Sequence, residues 1–140
     1  MSDPTRDPDD FPFEHLDFVY TPSADVAADL RYFTEVIGGR PVFSVEGMGT
    51  RVAMVDLTGG PPYVLLSGHL HGERPVLVYR VTNLREAMSA LVKRGWEREG
   101  TFEIPHGPIC SFVTPGGHRI AIYQLTRPEA GAHFGGRFDP

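Results

Sequence analysis

One order of elements occurs twice along this chain, and no other feature limits the fold as sharply. Residues 14–20 form an apolar, strand-like run closed by Thr21-Pro22. Ser23 or Asp25 can cap the helix that follows by accepting bonds from its free N–H groups. Val26, Leu30, Phe33 and Ile37 recur at helical spacing and make one apolar stripe. Gly38-Gly39 ends it, because glycine enters the left-handed conformation cheaply. Strands are predicted over 41–46, 50–57 and 63–67, with Gly47-Met48-Gly49 and Gly59-Gly60-Pro61-Pro62 as the turns between them. The second pass starts with a strand over 76–81. Asn83 and Glu86 stand in capping-box position, Leu84, Ala87, Met88, Leu91 and Val92 make the buried stripe, and Gly95 ends the helix. Strands follow over 96–104, 108–114 and 118–125, the last two joined by Pro115-Gly116-Gly117. Each pass is a βαβββ unit, so the fold class is α+β. A unit of this size cannot bury both faces of its sheet alone, so the two must pair, within one chain or across a dimer.

The repeat sets the boundaries. Residues 1–12 carry four Asp and three Pro with little to bury and are expected to form a disordered tail. The two-module domain is expected over 13–126. Residues 127–140, rich in Gly and Pro, are expected to be flexible or to cover a partner subunit, with Phe134 and Phe138 as anchors. The chain has 140 residues, 41% of them apolar, which is enough for one real core. With Cys110 as the single cysteine no intrachain disulfide can form, which suits a reducing cytoplasm. The N-terminal residues lack the basic patch and apolar run of a secretory signal, and no apolar stretch is long enough to span a bilayer. Net charge is −5 with Lys and Arg scattered, the opposite of the basic face that nucleic acid requires.

Two local stretches resemble a known family. Residues 14–20, Glu-His-Leu-Asp-Phe-Val-Tyr, followed by Arg31-Tyr32-Phe33 and Ile37-Gly38-Gly39, resemble the opening of vicinal-oxygen-chelate proteins, the glyoxalase, bleomycin-resistance and extradiol-dioxygenase group. Residues 114–124, Thr-Pro-Gly-Gly-His-Arg-Ile-Ala-Ile-Tyr-Gln, resemble that family's closing turn and strand. The resemblance implies a concave mixed sheet built from two βαβββ modules and, commonly, a homodimer. In metal-dependent members it implies a divalent ion held by His or Glu from the first and last strand of each module. The four corresponding positions here are His15, Leu65, Val76 and Ala121. Three aliphatic side chains offer no lone pair, and one imidazole alone binds an ion feebly. The expectation is therefore a metal-free cup, without cofactor, that binds a small organic molecule. A lyase, isomerase or dioxygenase of the same superfamily, with unusual ligands or working by acid–base chemistry, is the alternative.

Strand alternation names the residues of that cup. If His15 faces it, so do Asp17 and Val19, together with Val76, Val78 and Arg80, and with Arg119, Ala121 and Tyr123. His15, Arg80, Arg119 and Tyr123 are the candidates for holding a ligand. His15, Asp17, His106 and Tyr123 are the candidates for catalysis, His106 because it lies between Pro105 and Gly107 in a loop that borders the cup in this family. Asp17 paired with an arginine as a purely structural ion pair is the competing reading. His69 and His71 are read as a solvated connection between the modules, His118 as a turn residue facing water, and Cys110 as a buried, inert thiol.

Overall fold

The computed structural model describes residues 11–47 and 49–140. The expected disordered tail, 1–12, therefore lies outside the described residues except for Phe11 and Pro12. The first module comprises β1 (His15–Pro22), α1 (Val26–Arg31), β2 (Arg40–Gly47), β3 (Thr50–Asp56) and β4 (Tyr63–Ser67). The second comprises β5 (Val76–Val81), α2 (Leu84–Lys93), β6 (Thr101–Ile104), β7 (Gly107–Val113) and β8 (Arg119–Gln124), with α3 (Glu129–Phe134) after it.

All eight strands form one sheet in the order β2-β3-β4-β1-β5-β8-β7-β6. In each module the first strand runs parallel to the last, β1 with β4 and β5 with β8. The modules meet within the chain where β1 pairs antiparallel with β5. The fold is thus the two-module, mixed-sheet α+β arrangement expected from the repeat.

The helices cover one face of the sheet. Val26, Leu30 and Phe33 pack on Ala53, Val55, Val64 and Leu66 under α1. Leu84, Met88 and Leu91 pack on Val81, Cys110 and Ile122 under α2. Asn83 caps α2 by accepting from the Glu86 N–H at 3.0 Å, and Asp25, not Ser23, caps α1 by accepting from Ala28 N–H at 3.0 Å. Ser23 instead donates to Asp29, 2.5 Å away. The first helix does not stay α-helical through Ile37: Tyr32–Val36 form a π turn, a widening that periodicity does not reveal. The strand expected over 96–104 shrinks to Thr101–Ile104, because Trp96 turns back to pack edge-on against Phe112.

Residues 127–140 return along their own chain. Phe134 of α3 stacks at 5.8 Å on Phe43 of β2. Backbone bonds from Gly136 to Val42 and between Ser44 and both Arg137 and Asp139 tie the chain end to the outer edge of β2. Arg51 closes this contact by donating to the carbonyls of Asp139 (2.9 Å) and Pro140 (2.8 Å). Phe138, by contrast, stays 53% exposed. Among the described residues no helix is long and apolar enough to cross a membrane.

Candidate ligand-binding cup

The other face of the sheet is the cup, and a bulge in β1 decides what faces it. Leu16 pairs with Tyr79, yet Phe18 pairs with Val78, so Asp17 is an extra residue opposite no partner. Residues paired across strands share a face. His15, opposite Arg80, and Phe18 and Tyr20, opposite Val78 and Val76, therefore all look into the cup. Val19 pairs with Val64 and Leu77 and belongs to the helix face, which corrects the expectation from simple alternation. A bulge re-aims side chains in this way because the inserted residue breaks the period of two. The cup floor is Val76, Val78, Ile109, Ala121 and Tyr123, with Phe18 and Tyr20 packed against it.

Asp17 is the centre of the polar cluster. It is 5% exposed, and Tyr123, itself 1% exposed, donates its hydroxyl to Asp17 Oδ2. Arg80 Nε lies 3.3 Å from the same oxygen, and Glu14 Oε2 lies 3.7 Å from Arg80 Nε. Arg80 Nη2 donates to His15 Nε2 at 2.8 Å, which leaves Nδ1 to carry the ring proton. His15 Nδ1 is 2.5 Å from Asp17 Oδ1, close in distance but not aligned for a hydrogen bond. Asp17 Oδ1 and Arg80 Nε are accordingly buried polar atoms without a hydrogen-bond partner. Burial, then the hydrogen bond to Asp17 and its charge, push the Tyr123 phenol far above its ordinary range, against a smaller opposing pull from Arg80. Tyr123 is therefore a lasting donor and unsuited to act as a base.

His106 completes the cluster from the β6–β7 turn. Its ring centroid is 5.9 Å from Phe18 and 6.4 Å from Tyr123. Gly107 at φ +151° makes this turn possible; a Cβ there would come within 2.1 Å of the Gln124 carbonyl oxygen. Burial lowers the His106 pKa, Asp17 opposes that, and Arg127 reinforces it, so the ring favours its neutral form.

Four of the sequence candidates, His15, Asp17, Arg80 and Tyr123, thus form one contact network, with His106 beside it. Arg119 does not join them. Opposite Val76 it lies at the other end of the cup, and its Nη1 is spent on the carbonyls of His71 (2.7 Å) and Arg74 (3.0 Å). His118 is exposed and Cys110 is fully buried, its thiol pKa raised chiefly by burial. The sequence reading missed Tyr20, Ser67 and His69, which bond to one another at the far end of β1. The strand positions of Tyr20 and Ser67 were legible, but the bulge that turns Tyr20 inward was not.

The residues do not fit the divalent ion that the resemblance implies. Leu65 and Val76 flank Tyr20 and Ala121 pairs with Val78, so three aliphatic groups stand at expected ligand positions. The Nε2 lone pair of His15 is already engaged by Arg80. Among the described residues no group of three or more His, Cys, Asp or Glu could hold a metal.

No protein-family model and no curated protein matches the chain. Solved structures do. A methylmalonyl-CoA epimerase from Mycobacterium tuberculosis superposes with a TM-score of 0.67 at 19% identity, over 86% of this chain and 93% of that one. A Streptomyces coelicolor methylmalonyl-CoA epimerase variant in complex with 2-nitronate-propionyl-CoA gives 0.64 at 14% identity, over 82% and 99%. A methylmalonyl-CoA epimerase bound to methylmalonyl-CoA and ammonium gives 0.60 at 15% identity, over 81% and 96%. At these identities the likeness concerns architecture alone, and the architecture is that of the vicinal-oxygen-chelate fold.

Proposed function

We propose that this chain binds a small organic molecule in the cup without a metal ion, oriented by Asp17, His15, Arg80 and Tyr123. One observation carries the reading: the buried Asp17 carboxylate, held by Tyr123 and Arg80 and 2.5 Å from His15 Nδ1, sits beside an apolar, aromatic floor. Apolar burial then supplies affinity while the polar cluster fixes orientation. Two carboxylates, Asp17 and Glu14, surround one guanidinium, so a donor-bearing neutral or cationic ligand fits better than an anion. We further propose a cytoplasmic homodimer with no nucleic-acid partner. Exposed Tyr32, Val36 and Ile37 on the outer face support association.

The test combines metal analysis of protein purified without added metal with a ligand screen on wild type and Asp17→Asn. Ligands that bind wild type and lose most affinity in the variant, with no stoichiometric metal, are expected. Stoichiometric Zn, Ni, Mn or Fe held through His15 would overturn the reading. Light scattering distinguishes dimer from monomer.

A second reading is favoured by His106. A half-buried imidazole that prefers its neutral form beside the cluster suits metal-free acid–base chemistry, as in an isomerase or lyase. Under that reading turnover of a cup ligand would fall at least about a hundredfold in His106→Ala, while binding alone would survive.

A further inference from the structure

The C-terminal segment crosses the cup. Strand register carries the cup face outward from Tyr20 through Leu65 and Met54 to Phe43 on the edge strand β2. Phe43 and Met54 are each 8% exposed although α1 packs on the opposite face, so their cover comes from the cup side. Phe134 supplies it at Phe43. Nearer the start of α3, Gly131 lies against His106: an added Cβ would stand 4.0 Å from Nε2. His106 in turn sits over Phe18 and Tyr123. The helix therefore runs across the opening from the β6–β7 turn to β2, and the segment is fastened at both ends. On the turn, the His106 carbonyl accepts from the N–H groups of Thr126 and Arg127 at 3.0 Å each. The Arg127 guanidinium donates to the carbonyls of Ile104 and Pro105 and to Glu103. On β2, residues 136–139 add a short stretch of strand, clasped by Arg51 and by the Glu46 N–H donating to Asp139 Oδ2 at 2.9 Å. The middle is weakly held. The helix α3 has 6 residues, none of them buried, no side-chain cap, and glycines at 131, 135 and 136 in or just after it.

We propose that residues 126–140 are a strap that gates the cup, hinged at the β6–β7 turn and released at the β2 clasp to admit a small neutral organic molecule. This rests on the reading of the cup as a ligand site. Asp17 and Tyr123 are buried with the strap closed, so a ligand that reaches them needs an opening in the cover. The hinge end stays in place, because Thr126 follows β8 directly and Leu125 packs on the cup floor. The β2 end is joined to the sheet by non-covalent contacts alone. Backbone bonds on a sheet edge beside a short helix without buried residues open well before the core does. Closed again over a ligand, Phe134 and the rest of α3 roof the cup.

Two measurements on the full chain test this. Hydrogen exchange followed by NMR reads the clasp without a ligand. The amides of Ser44, Gly136 and Asp139, which join strap and β2, are expected to exchange together and at least about tenfold faster than those pairing β5 with β8. Stopped-flow uptake of N-phenyl-1-naphthylamine, a neutral dye that brightens in apolar surroundings, reads the gate. Arg51→Ala is expected to speed uptake about tenfold, the effect of losing one charge-assisted hydrogen bond. Ser44→Cys with Phe138→Cys locks the clasp. The two residues are bridge partners, on neighbouring strands about 4.8 Å apart and so within disulfide reach. The oxidised double variant is expected to take up the dye at least about tenfold more slowly than its own form reduced with dithiothreitol. If the strap amides exchange only at the rate of the β5–β8 amides, or the oxidised and reduced forms take up dye equally fast, the strap falls while the cup reading stands. Should the double variant not fold, Arg51→Ala decides, and uptake no faster than wild type overturns the gate. If the dye binds none of these proteins, the cup reading falls and the gate with it.

Discussion

Replacing Tyr123 by Phe removes one oxygen and leaves the ring that fills the cup floor. Tyr123 is 1% exposed, so no water replaces the lost donor, and no cavity larger than the hydroxyl is made. Its partner is Asp17 Oδ2, on a carboxylate whose other oxygen already lacks a hydrogen bond. After the change Asp17 keeps only the 3.3 Å approach of Arg80 Nε and the 2.5 Å approach of His15. A hydrogen bond to a charged group contributes about 1.5–3 kcal/mol, so a loss of about 2 kcal/mol is expected. For a chain of this length that corresponds to a fall in Tm of roughly 4–8 °C. Urea unfolding at pH 7 measures it, and Asp17→Ala with the double variant completes a cycle. The two changes should be non-additive by more than about 1 kcal/mol, because each removes the same bond. A loss below about 0.5 kcal/mol, or simple additivity, would refute the claim that Tyr123 holds Asp17 in place.

Three further outcomes are expected. Phe134→Ala should cost about 1–2 kcal/mol in the same unfolding assay because it uncovers Phe43, whereas Phe138→Ala, on a mostly exposed ring, should change little. The imidazole of His106, followed by NMR, should titrate below the ordinary histidine value. Its neutral form is favoured in the fold, so it contributes a loss of stability as pH falls below that ordinary value, where the unfolded chain takes up the proton more readily. The Tyr123 phenol, followed by ultraviolet absorbance, should be the last of the tyrosines to ionise. Because only the unfolded chain releases that proton readily, stability should decline above about pH 10.

The βαβββ repeat was legible because its signals are local. Asn83 and Asp25 cap by bonding three residues ahead, and the stripes under α1 and α2 follow helical spacing. Cup residues were legible only as far as alternation held. His15 and Asp17 were read correctly as inward-facing, but past Asp17 the register slips and Val19 gives way to Phe18 and Tyr20. Nothing near Asp17 in the sequence marks a bulge, since the insertion is defined against β5, some sixty residues away. His69 stays exposed in the Gly-flanked connection where the sequence puts it, but its bond to Tyr20 was not legible, because the parallel pairing of β1 with β4 brings the two together across 49 positions. The path of residues 127–140 is likewise set by distant partners, Phe43 and Arg51, that composition does not announce.

These long-range contacts also bear on the metal-free reading proposed for the cup. A divalent metal needs several converging lone pairs, and this sheet brings Leu65, Val76 and Ala121 to the places where they would come from. The remaining lone pair, on His15 Nε2, faces a guanidinium instead. Arg80 can stand there because the bulge moves Asp17 inward and supplies a carboxylate for the half-buried guanidinium. Two atoms of this network, Asp17 Oδ1 and Arg80 Nε, are left without an aligned hydrogen bond, one an acceptor and one a donor. A carboxylate and a guanidinium side by side at an apolar floor can orient a polar group laid on it, and that chemistry leads from the bulge in β1 to the kind of molecule the cup would hold.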